Sequence, residues 1–423
     1  MKVHRIKGFS DILPDEVEAW QSIEATARGV FAGYNFSEIR VPVLEKSELF
    51  SRSIGEATDV VEKEMYTFPD HGPGSSLVSL RPEGTAGVVR AYTEAGLHQV
   101  EPVRKLYYMG PMFRRERPQK GRLRQFHQIG AEAFGRSDPF IDVEMMLLLQ
   151  DFFTDLGIEG TVLEVNSIGC TVCRPAYRDS LLAFLEDKKD GLCDDCQRRV
   201  ERNPLRVLDC KKESCVALVK AAPSIRSHLC EECRDHFETV VRMLSQSSVE
   251  FSVNERLVRG LDYYCRTTFE WKSDGLGAQN AVAAGGRYDG LVKALGGPPT
   301  AGVGFALGVE RLMLLLSGAC HGARKVPLLY LAWIGTEARD WIFPVAHKAR
   351  RGGFRVEIEG QDRSLKSQMR RADKLGAQLV LILGPEELAK GSAILRHMET
   401  KQQSEIGLKD LEEDIGASLR AAS

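Results

Sequence analysis

The run from Tyr107 to Gly135, YYMGPMFRRERPQKGRLRQFHQIGAEAFG, constrains the fold more than any other part of the chain. Its second half alternates: Phe126, Gln128, Gly130, Glu132 and Phe134 fall on one face of a strand, and His127, Ile129, Ala131 and Ala133 on the other. Gln128 and Glu132 therefore project the same way. Gly130 between them has no side chain, which leaves room for a small polar ligand under two hydrogen-bonding groups. His127 lies on the opposite face and is given no role. The preceding run ends at Arg114, and Arg115 to Arg122 is cationic and rich in turn residues, as suits an exposed loop that touches a phosphate backbone. The whole reads as a hairpin, in which Pro111 implies an edge or a bulge in the first strand.

Flanking segments extend this reading. An amphipathic helix is expected from Glu16 to about Ala32, followed by a break at Gly33 and a strand SEIRVPV with Pro42 near its end. Glu64 to Phe68 and Leu77 to Leu80 read as strands around PDHGPGSS, leading into RPEGT and a helix through Ala95. Asp142 to Leu156 reads as a helix and TVLEVNSIG as a strand, while Cys170 to Gln246 reads as a mostly helical insertion. Strands resume in FSVNERLVRGLDYYCRTTFEWK, and Ala301 to Ser317 reads as a strand giving way to a buried helix. GACHGARKVP is a linker by composition. Beyond it strand and helix alternate through PLLYLAWIG, Glu337–Arg351, FRVEIEG, Leu365–Leu375 and AQLVLILG, which predicts a small α/β domain with a parallel sheet.

At 423 residues the length fits two or three domains, and 43% hydrophobic with 27% charged residues is globular usage. No apolar run is long enough to span a bilayer, and MKVHRIKGFSDILP has no apolar signal core, so a cytoplasmic protein with no membrane partner is expected. A net charge of -2 means that any nucleic-acid contact comes from local basic patches. That weighs against a dedicated DNA-binding protein.

Eight of the ten cysteines lie between Cys170 and Cys233, as CTVC, CDDC, CKKESC and CEEC. The C-x2-C pairs Cys170/Cys173, Cys193/Cys196 and Cys230/Cys233 suit structural zinc, each offering two soft ligands at a fixed bite. The alternative is a helical insertion with reduced thiols whose pairs need not converge. Four thiolates leave no open position, so such a metal serves folding rather than chemistry. No GxxxxGK[ST] phosphate loop is present, so a nucleotide has to be held by side chains. Arg114, Arg259 and Arg311 each sit in an otherwise apolar, aromatic or glycine-rich run, and guanidinium forks suit phosphate oxygens.

In order, KGFSDILP, the Pro42 strand, EMYTF, LRPEGT, FRRERPQKGRLRQFHQIGAEAFG, NPLRVLDCK, LVRGLDYY, AGGRYDGL and GFALGVERL resemble the blocks of class II aminoacyl-tRNA synthetases. Nearly the whole length is covered, and LVRGLDYY points within that class to the histidyl-tRNA synthetase family. The resemblance implies an α+β catalytic domain over residues 1–325, an antiparallel sheet flanked by helices, interrupted at 170–246 by the cysteine-rich insertion. It implies an α/β anticodon-binding domain over 326–423 and a homodimer through the Pro42 segment. The activity implied is histidine–tRNA ligation through histidyl-adenylate, with ATP as its Mg2+ complex, L-histidine and tRNA(His) as substrates.

By the same resemblance Arg114 and Arg259 are catalytic. Arg114 grips the α-phosphate, Arg311 the γ-phosphate, and Arg259, also counted among the histidine-binding residues, stabilises the α-phosphate charge. Glu83, Thr85 and Gln128 hold the substrate ammonium, Glu132 and Tyr264 read the imidazole, and Tyr263 and Tyr288 complete the pocket. Arg117, Gln119, Lys120 and Arg122 meet the tRNA acceptor end. Cys265 departs from the Thr or Asn usual there, which touches local packing only. A rival is the non-catalytic histidyl-tRNA synthetase-like regulatory subunit of ATP phosphoribosyltransferase. Such a relative is expected to lack the C-terminal domain and the ATP-gripping arginines.

Overall fold

The tight polar turn between two alternating runs does close a hairpin, and that hairpin sits inside a large sheet. A computed structural model describes residues 3–55, 58–70, 76–277, 280–316 and 328–409. The chain divides into two compact units, residues 1–321 and 322–423. The expected linker, residues 318–327, lies outside the described residues.

In the first unit β1 (Ser37–Glu38) precedes three short strands, β2 (Leu44–Lys46), β3 (Tyr66–Pro69) and β4 (Leu77–Leu80), which form a small antiparallel sheet of order β2-β4-β3. The hairpin follows as β5 (Arg104–Phe113) and β6 (Gln125–Phe134), and then β7 (Thr161–Ser167), β8 (Phe251–Val253), β9 (Cys265–Ser273), β10 (Ala281–Arg287) and β11 (Gly302–Gly308). With β1 these make an eight-stranded sheet of order β1-β5-β6-β11-β10-β9-β7-β8. It is antiparallel through its middle and parallel only at its two edges, β1 with β5 and β7 with β8. One face carries Ile129, Ala131, Ala133, Val303, Phe305 and Phe269, covered by the helices Pro14–Gly33, Pro139–Asp155, Glu231–Gln246 and Val309–Leu316. The alternation that buries those residues turns Gln128, Gly130 and Glu132 to the other face.

Pro111 lies inside β5, opposite His127. Ile39 N donates to Tyr107 O, and Phe113 N to Arg81 O, so the odd positions of β5 point away from β6. The missing N–H of Pro111 therefore falls on the outer edge and removes no bond from the hairpin ladder. The expected strand SEIRVPV is confined to Ser37–Glu38. Beyond it the carbonyl of Val41 is taken by the buried Arg81 guanidinium at 2.9 Å, in place of a strand partner.

The run expected to be strand through LVRGLDYY is also interrupted: residues 254–264 are neither helix nor strand. Between β7 and β8 lies the helical insertion, with helices Arg174–Glu186, Asp194–Arg202, Glu213–Val219 and Glu231–Gln246. It is tied to the sheet by a buried charge network. Arg287 Nε donates to Asp142 at 3.0 Å, and His236 Nε2 lies 2.7 Å from the other oxygen of Asp142. Burial pushes the Asp142 carboxyl up, but the Arg287 charge and these bonds outweigh it and hold it below the usual carboxylate range. Removing one partner strands a buried charge, so Asp142→Ala is expected to lower unfolding free energy by roughly 3–5 kcal/mol in denaturant titration. A loss under 1 kcal/mol would deny the network that role.

The second unit contains β12 (Leu328–Trp333), β13 (Arg355–Ile358), β14 (Leu379–Leu383), β15 (Ser392–His397) and β16 (Gln403–Gly407), in the order β13-β12-β14-β15-β16. The first three are parallel, as expected, with helices Thr336–Arg351 and Leu365–Lys374 between them. The last two add an antiparallel hairpin that the sequence does not announce. Its turn places Lys401 at φ +60, a left-handed position normally flagged by Gly or Asn, so no turn signal is present. Among the described residues no helix is long and apolar enough to cross a membrane.

Candidate active site

The opposite face of the large sheet is lowered by glycine where the Glu132 side chain lies across it. Glu132 on β6 stands opposite Gly304 on β11, which stands opposite Gly286 on β10. A Cβ at Gly304 would lie 1.8 Å from a Glu132 carboxylate oxygen, so only glycine leaves room for that carboxylate to lie across the sheet. There Glu132 accepts from Thr85 Oγ1 at 2.7 Å and from the Tyr288 hydroxyl. It is fully buried, and burial pushes its carboxyl up to about 8 against the opposing effect of those two donors. At neutral pH in the empty protein it is mostly protonated.

Glu83 is also buried and accepts from the backbone N–H of Thr85 at 2.7 Å and of Ala86 at 2.9 Å, capping the helix Thr85–Glu94. Burial raises its carboxyl too, with these bonds acting the other way. The RPEGT turn thus fixes Glu83 and Thr85 by local capping and delivers Thr85 to Glu132.

The gap at Gly130 is not open. The Tyr108 ring, from the cross-strand partner of Gly130, fills it and reaches Gly84 on its other side; a Cβ on either glycine would lie within 2.4 Å of that ring. Tyr108 is therefore part of the pocket wall, and the expected ligand space is displaced along the strand toward Gln128. The signal for it was present: a glycine inside a strand marks a close approach, and hairpin register puts Tyr108 opposite. The Tyr108 hydroxyl and Gln128 Oε1 are both buried without a hydrogen-bond partner, two polar atoms awaiting a donor or acceptor. Tyr263 and Tyr264 pack against each other at 4.6 Å, and Tyr263 meets Tyr288 edge-on at 5.7 Å, so the three rings form one aromatic cluster.

Beside this buried cluster opens a cavity of about 380 Å³. Gln128, Arg114, Arg259 and Arg311 all line it, brought together from β6, the end of β5, the loop after β8 and the helix Val309–Leu316. Arg114 donates from Nε to Pro82 O at 2.9 Å and stacks 5.4 Å over Phe126, which fixes its aim. Arg311 donates to Ala281 O; burial and then the neighbouring Arg122 push its guanidinium down, though not enough to discharge it. Arg259 is paired with Glu270 on β9, and its Nε is buried with no partner.

The remaining charges of the wall are Arg122, Arg206 and Lys211 on one side and Asp59, Glu64, Glu116, Asp209 and Glu310 on the other. With Glu270 the carboxylates equal the six cations in number, so an entering polyanion meets a wall of balanced charge in which Arg259 is already paired with Glu270 and Arg122 with Glu116. Glu64, Glu116, Glu270, Arg206 and Lys211 were not singled out from sequence. Nothing local marks them, because each joins the wall through long-range packing.

In the hairpin loop Arg117, Gln119 and Lys120 are exposed, while Arg122 pairs with Glu116 at 3.3 Å and lines the cavity. Backbone bonds in both directions between Gln119 and Arg122 make the loop a tight turn. His127 packs its ring 4.8 Å from Trp20 and its Nδ1 3.1 Å from Glu310, on the face away from Gln128. Cys265 has its thiol pushed up to about 11 by burial and accepts from Asp289 N at 3.4 Å, a packing role. The six cysteines of the C-x2-C pairs do converge, but with two more. Cys170, Cys173, Cys230 and Cys233 form one group, and Cys193 and Cys196 join Cys210 and Cys215 in another.

This geometry has counterparts. A family model described as histidyl-tRNA synthetase matches residues 8–312, and one described as an anticodon binding domain matches 329–417. A protein of Geobacter sulfurreducens named histidine–tRNA ligase is 55% identical over 98% of this chain and 99% of its own length. One of the same name from Geobacter metallireducens is 55% identical over 95% of this chain and 96% of its own. Among solved structures the apo histidyl-tRNA synthetase of S. aureus aligns over 97% of this chain and 99% of its own, with TM-score 0.82 and 33% identity. A Bacillus halodurans protein titled ATP phosphoribosyltransferase regulatory subunit/histidyl-tRNA synthetase shares the fold at TM-score 0.65 and 19% identity, over 91% of this chain and 99% of its own.

Proposed function

The chain belongs to the histidyl-tRNA synthetase family, and from that premise we propose how its residues divide the reaction. It is a histidine–tRNA ligase, which activates L-histidine with ATP and transfers it to the 3'-terminal ribose of tRNA(His). In the first step the histidine carboxylate attacks the α-phosphorus in line, the bond to the bridging oxygen breaks, and pyrophosphate leaves. In the second a ribose hydroxyl attacks the activated carbonyl, and AMP leaves. Both reactants of the first step are anionic, so the site has to align them and supply fixed positive charge more than a nucleophile.

The observation that carries the assignment is the convergence of Arg114, Arg259, Arg311 and Gln128 on one cavity, with Gln128 four residues along the strand face from Glu132. In our reading Arg114 holds the α-phosphate, Arg311 the γ-phosphate, and Arg259 the charge that grows on the α-phosphate during attack. Magnesium enters with ATP on the phosphate oxygens. The substrate ammonium brings three donors to Glu83, Thr85 and the unpartnered Gln128 Oε1. The imidazole meets Glu132 and Tyr264, with Tyr263, Tyr288 and Tyr108 as the walls that exclude water. The regulatory reading is disfavoured because Arg114, Arg259 and Arg311 are all in place and because relatives 55% identical over nearly the whole chain are named histidine–tRNA ligase.

Residues 1–325 with the 170–246 insertion form the catalytic part, and 326–423 read the anticodon. On the helix Leu365–Lys374 the exposed Lys366, Arg370 and Lys374 recur every fourth residue, a basic stripe suited to a phosphate backbone. Arg371 faces away, bonded to Glu357 at 3.0 Å and Glu359 at 3.2 Å. Replacing the stripe by alanine, or Arg117 and Lys120 in the hairpin loop, is expected to raise the KM for tRNA about tenfold or more and to leave pyrophosphate exchange unchanged. Equal charging at every tRNA concentration would remove both surfaces from the reading. A homodimer is supported by exposed Val43, Leu44, Phe68 and Leu77 on and beside the small sheet, and sedimentation at the mass of a single chain would contradict it.

A further inference from the structure

The loop that carries Arg259, Tyr263 and Tyr264 has no secondary structure of its own, so its precision has to come from what grips it. At its far end several of those grips come from the cysteine-rich insertion. Asn203 Nδ2 donates to Asp262 Oδ1 at 2.8 Å, and the Arg174 guanidinium donates to the carbonyl of Tyr264. Arg206 lies against Gly260, 3.3 Å from where a Cβ would stand. Arg174 and Asn203 to Arg206 are each held next to a group of four cysteines. Cys173 immediately precedes Arg174, while Asn203 and Arg206 lie on the short segment between Cys196 and Cys210.

The cysteine geometry fits a tetrahedral ion twice. With zinc–sulfur bonds of about 2.3 Å the edges of a sulfur tetrahedron are about 3.8 Å. In the first group the sulfurs of Cys170 and Cys173 are 3.7 Å apart and those of Cys170 and Cys230 4.0 Å, and in the second those of Cys193 and Cys210 are 4.0 Å apart. All four sulfurs of each group lie within 4.8 Å of one another. These separations are far beyond the roughly 2.05 Å of a disulfide, and all eight thiols are unpaired.

Backbone N–H groups aim at the sulfurs, from Val172 to Cys170 at 3.4 Å, Cys230 to Cys173 at 3.2 Å and Cys193 to Cys215 at 3.3 Å. Cys173, Cys193 and Cys230 each precede the first residue of a helix, which fixes the backbone on one side of each of these sulfurs. Incidental thiols give no reason for two such convergences, each with two buried and two half-buried members.

We propose that the insertion binds two structural zinc ions, one at Cys170, Cys173, Cys230 and Cys233 and one at Cys193, Cys196, Cys210 and Cys215, which together clamp the Asn254–Tyr264 loop over the active site. The sites are closed by four thiolates, so zinc takes no part in the reaction. Each ion joins segments far apart in sequence, the first the end of β7 to the helix Glu231–Gln246, the second the helix Asp194–Arg202 to the helix Glu213–Val219. In metal-bound protein the insertion is then a rigid backing for the loop. The metal content is independent of the reaction assigned above, whereas the effect on catalysis rests on it.

The test is metal analysis of the full-length protein purified without added metal. Two zinc equivalents per chain are expected, and one or none overturns the proposal. Cys210→Ser and Cys230→Ser are each expected to retain one equivalent; two equivalents in either variant would show that its site is not the one drawn. Should a variant fail to fold, wild-type protein grown with cobalt replaces it, where the intense visible absorption of tetrahedral cobalt thiolate is expected at two equivalents and its absence overturns the assignment. In folded Cys210→Ser the KM for histidine in pyrophosphate exchange is expected to rise at least tenfold, and an unchanged KM would sever the clamp from the site. Two zinc ions in a protein that shows no exchange would leave the metal sites standing and the assigned reaction refuted.

Discussion

Arg259→Gln is expected to lower histidine-dependent pyrophosphate exchange by a factor of roughly 10² to 10³, the cost of removing one preorganised donor from a developing anion. Turnover should fall far more than histidine affinity. Arg259 is half-buried, paired with Glu270 and lines the cavity, yet its Nε is buried with no partner. The loss of a purely structural arginine would appear as stability rather than as turnover. In the proposed role its place on the cavity wall keeps the group ready for an incoming phosphate, with Glu270 holding it until then. The same variant examined by denaturant titration should lose little stability. A wild-type exchange rate together with a large stability loss would place Arg259 among the structural ion pairs.

Glu132→Gln is expected to have opposite effects on folding and function. Burial raises the carboxyl to about 8, well above its unfolded value near 4.5. Between those two values the folded protein binds more protons than the unfolded chain, so this group lowers stability as pH rises from about 4.5 to 8, and its effect is flat above that. At pH 7 the cost is on the order of a few kcal/mol. A neutral Gln keeps partners for Thr85 and Tyr288 without titrating. Glu132→Gln should therefore unfold at higher denaturant than wild type, by a margin that grows from pH 5 to pH 8 and then levels. Its kcat/KM for histidine should fall roughly 10- to 100-fold through loss of a charge-assisted bond to the imidazole. A margin that does not change with pH would show that Glu132 is not protonated in the empty site.

Much of this site is legible in the residue pattern itself, and for identifiable reasons. Period-two alternation places Gln128 and Glu132 on one face, and local capping chemistry marks RPEGT, so Glu83 and Thr85 reach Glu132, with Gln128 four residues along the same strand face. The edge position of Pro111 is legible from the proline itself. What the pattern hides is cross-strand and long-range. Tyr108 fills the space over Gly130 because of hairpin register, and Glu270 reaches Arg259 from a strand that follows a loop with the composition of a strand. The LVRGLDYY segment reads as strand from its β-branched and aromatic content, but its polar backbone is spoken for by side chains such as Asn166 Nδ2, 3.0 Å from Leu257 O. The cysteine pairs are visible as C-x2-C, whereas their partnership, first with last and middle with Cys210 and Cys215, depends on how four helices fold back.

The assignment of the site is tested most directly by purified protein incubated with Mg-ATP, labelled pyrophosphate and each amino acid separately. Exchange of label into ATP is expected with L-histidine and with no other amino acid. Exchange supported by a different amino acid, or no exchange with any, would contradict the roles given to Glu132, Gln128 and the three arginines.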